Sequence, residues 1–147
     1  MIKTILVPVD GSAHAQRAVE FGTDLALKYR ARIEFAHVGI EHQLPAVLLK
    51  LAEAENIGTT SQEVHAFVWQ RLVDDAEQYA KGKGMESVSG SVLSGDPASA
   101  IVARAKEIGA DMIVMGSRGM GEIKGLLLGS VSHKVVSLAP CTCVTVR

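Results

Sequence analysis

The chain reads as a doubly wound α/β fold, a parallel sheet with helices on both faces. Three observations predict it. Short apolar runs alternate with helical stretches in the order β-α-β-loop-α-β-α-β-loop-α-β. The first and fourth runs are apolar at successive positions, as in strands covered on both faces. A glycine-rich stretch, Met115 to Val131, follows the fourth run and leads into the last helix.

Ile2 to Val9 is the first strand, with Pro8 near its end, where a missing N–H does least harm. Asp10-Gly11-Ser12 turns the chain, and Ser12 is positioned to cap the first helix. Ala15, Ala18, Val19, Gly22, Leu25, Ala26 and Tyr29 recur at helical spacing and predict its buried face, ending near Arg30. Arg32 to Val38 is the second strand, with Ile33 and Phe35 on one face and Ala36 and Val38 on the other. Gly39 to Ser61 is the least legible part. Leu44 to Glu55 has some helical character, but Pro45, Gly58 and Thr59-Thr60-Ser61 mark loop. From Gln62 the helical period returns through Val64, Phe67, Val68, Leu72, Ala76 and Tyr79, and Lys81-Gly82-Lys83-Gly84 closes it. Trp69 lies off that stripe.

Ser87 to Leu93 alternates, with Val88, Gly90 and Val92 on one face and serines on the other, the pattern of a half-exposed edge strand. Asp96-Pro97 is a helix start, N-cap then first residue. Ala98, Ile101, Val102, Ala105 and Ile108 form that helix's buried face, and Gly109 ends it. Asp111 to Met115 is a central strand. Ser130 is placed to cap the last helix, Pro140 stops it, and Cys141 to Val146 is the fifth strand. No internal repeat or second domain is visible, so residues 1–147 read as one domain.

Composition narrows the function classes. With 48% apolar and 21% charged residues the chain is globular, and its net charge of −1 argues against a general nucleic-acid binder. No apolar run is long enough for a membrane span. The N-terminal apolar run breaks at Pro8 and Asp10, unlike a signal peptide. Two cysteines without such a leader fit a reducing compartment, so a cytoplasmic location is expected. Cys141 and Cys143 share a strand face about 6.6–6.8 Å apart, awkward for a disulfide. The five histidines show no metal-ligand spacing, and no metal site is expected.

The glycine-rich stretch carries Gly116, Gly119, Gly121, Gly125 and Gly129. Glycine offers positive φ and close backbone approach, and a strand that stops at such a loop and resumes in a helix is a recipe for an anion site. A Walker A loop is absent. A Gly-x-Gly-x-x-Gly fingerprint opens at Gly119 but meets Lys124 at its third position. What does fit is Gly116-x2-Gly119-x9-Gly129-Ser130. Together with the opening ILVPVDGS, His37-Val38, Ser94-Gly95-Asp96-Pro97 and the final CTCVTV, this pattern closely resembles the ATP-binding branch of the universal stress protein family over the whole chain.

The resemblance implies a Rossmann-like, adenine nucleotide alpha hydrolase-like fold, an open parallel five-stranded sheet in the order 3-2-1-4-5. It implies Pro8, Val9 and Asp10 beside adenine and ribose, with the Asp10 carboxylate accepting from ribose hydroxyls. Val38 would touch adenine. Met115, Gly116, Ser117, Arg118 and Gly119 would wrap ribose and phosphates, and Gly129, Ser130 and Val131 would hold phosphate oxygens. The implied ligand is ATP, with AMP or another adenine nucleotide as alternatives and Mg2+ or Mn2+ as companions of the nucleotide. The implied assembly is a homodimer through the C-terminal strand.

No base, nucleophile or acidic pair stands beside the loop, so no catalytic residue is assigned. The expected role is a nucleotide-dependent sensor or switch with at most slow ATP hydrolysis. Two rivals stand beside it. One is an ATP-using phosphotransferase or nucleotidyl transferase working through Asp10, Arg118 and Lys124. The other is a nucleotide-free dimeric interaction module, against which the intact glycine spacing argues.

Overall fold

Apolar runs with no polar alternation have to be covered on both sides, and the chain achieves this with five parallel strands between two helical layers. The computed structural model describes residues 1–40, 50, 54–55, 61–119 and 128–147. In chain order these give β1 (Thr4–Pro8), α1 (Ala13–Tyr29), β2 (Arg32–Gly39), α2 (Ser61–Gly82), β3 (Val88–Ser94), α3 (Pro97–Glu107), β4 (Met112–Gly116), α4 (Ser130–Leu138) and β5 (Thr142–Val146). The sheet order is β3-β2-β1-β4-β5, as expected. β1 pairs with β2 from Thr4↔Arg32 to Pro8↔Ala36, and with β4 at Ile5↔Met112 and Leu6↔Ile113. The segment 44–55 lies largely outside the described residues.

Side chains of β1, β2 and β4 divide by parity between two cores. Ile5, Val7, Ile33, Phe35 and Val114 face α1 and α2, meeting Ala18, Val19, Val73 and Ala76. Leu6, Ala36, Val38, Ile113 and Met115 face α3 and α4, meeting Ala98, Ile101, Val102 and Val135. Close approach of α1 depends on Gly22, where a Cβ would stand 2.8 Å from Val7 Cγ2. Two expected core positions turn outward: Tyr29 is 45% and Phe67 41% exposed. On α2 the buried stripe runs instead through Val68, Val73, Ala76 and Ala80, with Trp69 half-buried beside it.

The serines of β3 have a partner. Glu34 is a buried carboxylate on β2, and Arg104 of α3 grips it through Nε (2.6 Å) and Nη2 (3.2 Å). Ser91 Oγ donates to the same carboxylate at 2.8 Å. Hydrogen bonds from the guanidinium to Glu34, and then to Glu107, push the Arg104 pKa up. A buried charge has to be paired and hydrogen-bonded, and this cluster ties α3, β2 and the edge strand β3 together. At the same end of the sheet, Asp111 Oδ2 accepts from the N–H groups of Lys3 (2.8 Å) and Thr4 (3.0 Å), aligning the starts of β1 and β4.

Replacing Arg104 with Met would leave the Glu34 carboxylate without its cation. We expect Arg104→Met to lower the unfolding free energy by roughly 2–3 kcal/mol, less than for a fully buried pair because Arg104 is partly solvated. Urea denaturation checks this, and an unchanged midpoint would show that the pair contributes nothing.

Candidate functional site

The carboxyl ends of β1, β2 and β4 open onto a cleft of about 430 Å³, within the ~300–1,000 Å³ usual for small-molecule sites. It forms where β1 and β4 diverge at the point of strand-order reversal, the place where open α/β sheets bind ligands.

At the end of β1 the backbone turns sharply. Gly11 has φ +81°, a left-handed conformation that side chains resist. Asp10 Oδ1 accepts from Ser12 N–H at 2.9 Å, and Ser12 Oγ accepts from Ala15 N–H at 3.1 Å, capping α1. The other Asp10 oxygen, Oδ2, points toward Gly119, where a Cβ would stand only 2.7 Å from it. Asp10 and Gly119 therefore approach across the cleft only because residue 119 has no side chain.

At the end of β2, His37 shares a ring-nitrogen hydrogen bond with the Val9 carbonyl, Nδ1 to O 2.7 Å. A carbonyl only accepts, so Nδ1 carries the proton and Nε2 the lone pair. Burial lowers the pKa of His37, against smaller opposing effects of the Val9 carbonyl and the Asp10 charge. Beyond His37, the Trp69 indole lies against the Gly39 backbone. A Cβ on Gly39 would come within 2.7–2.8 Å of three indole carbons.

At the end of β4, Ser117 is buried and knots three elements. Its N–H donates to Val146 of β5 (2.7 Å), and its carbonyl accepts from Gly129 N–H (2.7 Å) and Ser132 Oγ (2.8 Å). Its hydroxyl lies 3.2 Å from His14 Nδ1 of α1. Gly116, just before, has a steric duty: a Cβ there would be 2.8 Å from the His14 backbone carbon.

The start of α4 differs from the expectation. The N-cap is Gly129 (φ −70°, ψ 167°), and Ser130 is the first helical residue, so its hydroxyl is one position too late to cap. Among the described residues no side chain caps this helix, whereas Ser12 caps α1 and Asp96 caps α3. The first-turn N–H groups of α4 thus lack the partner that a capping residue supplies. Arg118 beside it has a buried Nε with no hydrogen-bond partner among the described residues. On the far wall Asp96 accepts from Ser99 Oγ (2.6 Å), Ser99 N–H (3.0 Å) and Lys134 Nζ (3.0 Å). Led by the two Ser99 bonds, these hold its pKa down to about 2.

Of the residues singled out in the sequence, Pro8, Val9, Asp10, Val38, Met115, Gly116, Arg118, Gly119, Gly129, Ser130 and Val131 line this one cleft. Ser117 sits behind it. Lys124, Gly121 and Gly125 lie outside the described residues. The glycines of the loop were expected to supply positive φ and close backbone approach, and the described ones bear out the second. Among the described residues positive-φ glycines are Gly11, Gly84, Gly95 and Gly109, and none belongs to the loop. Gly116 and Gly119 serve close approach instead. Sequence reasoning missed His37, Trp69, Leu72, Asp96, Ile101 and Ser132 as cleft residues. The off-stripe position of Trp69 and the histidine preceding Val38 were the available signals. Among the described residues no group of three or more His, Cys, Asp or Glu is placed to hold a metal, and no helix is long and apolar enough to cross a membrane.

The low pKa of His37 gives a testable sign. As pH falls through about 6.5, the unfolded chain takes up a proton at this position while the folded chain does not. The unfolded state binds more protons there, so stability falls with pH until the folded imidazole also protonates. We expect the melting temperature to drop between pH 7.5 and 5.5, and to drop less in His37→Asn, whose amide can keep the Val9 bond. Parallel slopes for the two proteins in calorimetry would refute the assignment.

Comparison with known proteins places these features in context. The model of the universal stress protein family matches residues 1–147. Universal stress protein YxiE of Bacillus subtilis is 33% identical over 150 residues, covering 100% of both chains. Among solved structures, universal stress protein UspA from Lactobacillus plantarum superposes with a TM-score of 0.79 at 24% identity, over 99% of this chain and 98% of that one. A universal stress protein solved in complex with cAMP superposes with a TM-score of 0.72 at 25% identity, over 99% and 97%.

Proposed function

The chain belongs to the universal stress protein family, and from that premise we propose that its cleft binds an adenine nucleotide, ATP foremost, and that the protein acts as a nucleotide-dependent stress or signalling switch. The observation that carries this reading is the pairing of an uncapped α4 N-terminus with the unpartnered, buried Arg118 Nε on one cleft wall. Two sets of donors there lack acceptors among the described residues, and a phosphate group supplies acceptors. The solved relative holding cAMP supports an adenine nucleotide as the ligand class.

In this reading Pro8, Val9 and Val38 border the base and ribose, and Asp10 Oδ2 accepts from a ribose hydroxyl. The N–H groups of Ser130 and Val131 donate to phosphate oxygens, each such charged hydrogen bond contributing about 1.5–3 kcal/mol. Arg118 offers its planar fork to the same oxygens. Ser117 contributes by holding Gly129 and Ser132 in place rather than by touching the ligand. Mg2+ or Mn2+ would enter as a companion of the nucleotide, since the described residues offer no metal-holding cluster of their own. The described cleft residues offer binding and orientation, with no base-nucleophile pair for rapid turnover, which favours a switch over a fast enzyme.

Gly119→Val places a branched side chain against Asp10 Oδ2 and in the path of the ligand. We expect it to weaken ATP binding by at least ~10-fold with an unchanged circular-dichroism spectrum. Equilibrium dialysis with labelled ATP measures this, and wild-type affinity in a folded variant would rule the cleft out.

The proposed assembly is a homodimer through β5. This strand is at the sheet edge, and an edge presents unpaired backbone groups to a second copy. Val144→Pro should convert a dimer to a monomer in multi-angle light scattering. A wild-type chain that is already monomeric at tens of micromolar concentration would exclude this interface.

A further inference from the structure

The cleft also carries an imidazole and an indole for which phosphate binding has no use. His37 lines the cleft, and its Nδ1–H is committed to the Val9 carbonyl at 2.7 Å. Its Nε2 therefore carries a lone pair and is left as an acceptor. The Trp69 indole stands 6.4 Å from the imidazole, centroid to centroid, with the planes inclined by 38°. Gly39 holds the indole there by having no side chain to displace it. Leu72 of the same helix as Trp69 adds an apolar side chain to the cleft lining. A flat heterocycle fits such a corner, and the acceptor on the imidazole edge calls for a donor on that heterocycle.

Purine bases divide on this point. A 6-aminopurine presents an N–H donor from its exocyclic amine. A 6-oxopurine presents a carbonyl oxygen at the same position, and in the same pose two lone pairs would face each other. We propose that His37 Nε2 reads the base, selecting 6-aminopurine over 6-oxopurine nucleotides, with the Trp69 indole as the wall against which the base rests. This deepens the nucleotide reading of the cleft and rests on it. His37 is suited to the task because the Val9 bond fixes its tautomer, so its acceptor nitrogen is set before a ligand arrives.

ATP and ITP differ at the position in question and share ribose and triphosphate, so their affinity ratio isolates base reading from phosphate binding. The full chain is titrated with each by equilibrium dialysis, and the fluorescence of Trp69, the chain's single tryptophan, is followed in parallel. Wild type should bind ATP roughly 10- to 100-fold more tightly than ITP, with a change in Trp69 emission on ATP binding. His37→Asn keeps a donor for Val9 but ends short of the Nε2 position, and should reduce the ratio to within about 3-fold. His37→Gln reaches that position with an amide oxygen and should retain most of the preference. Equal wild-type affinity for ATP and ITP overturns the proposal, as does a folded His37→Asn with the wild-type ratio. A wild type that binds neither nucleotide removes the nucleotide reading itself, and this proposal with it.

Discussion

The Ser117 carbonyl accepts two hydrogen bonds, from Gly129 N–H and Ser132 Oγ, while its own N–H donates to Val146. These three bonds join the end of β4 to the end of β5 and to the start of α4. Each buried backbone group has to find a partner, and here the partners come from elements distant in sequence. The N-terminus of α4 is thereby held beside Arg118 and Gly119, with Gly129 Cα close enough that a Cβ would touch Arg118 Cα at 3.4 Å. The Ser117 knot thus sets the position of the α4 wall of the cleft.

The fold was legible because its physics is local. β1 from Ile5 onward and β4 are apolar at successive positions, so they had to be central. Asp96-Pro97 and Ser12 announce helix starts through side-chain chemistry next to them in the chain. The cleft was legible on its glycine side for the same reason. What stayed hidden depends on contacts across the fold. Trp69 and Gly39 are thirty positions apart in sequence, and neither shows alone that the indole needs bare backbone to lie on. Ser130 looked like a cap because serine usually is one, but the pull of Ser117 on Gly129 N–H starts the helix one residue earlier. The serines of β3 looked like a solvated face, whereas the buried Glu34 carboxylate claims Ser91.

The glycines of the loop are not interchangeable. Gly116 is required by α1, whose His14 backbone would collide with any side chain there. Gly119 is required by Asp10. Gly129 meets only ordinary contacts and has an unremarkable φ of −70°. One sequence pattern thus covers a packing constraint, a cleft constraint and a capping position. Reading all of them as backbone flexibility merges three different causes.

The bare N-terminus of α4 ties occupancy to folding. A helix of nine residues with no side-chain cap among the described residues forgoes the ~0.5–2 kcal/mol that a serine or aspartate cap typically contributes. Any anion that seats on those N–H groups takes the place of the missing cap. Filling the cleft and completing α4 then become a single event. By mass action the last helix, and β5 joined to it through Ala139 to Cys141, gain stability in proportion to the logarithm of ligand concentration. Because β5 is the sheet edge, the rigidity of the molecule's outermost strand would track the ligand level in its surroundings.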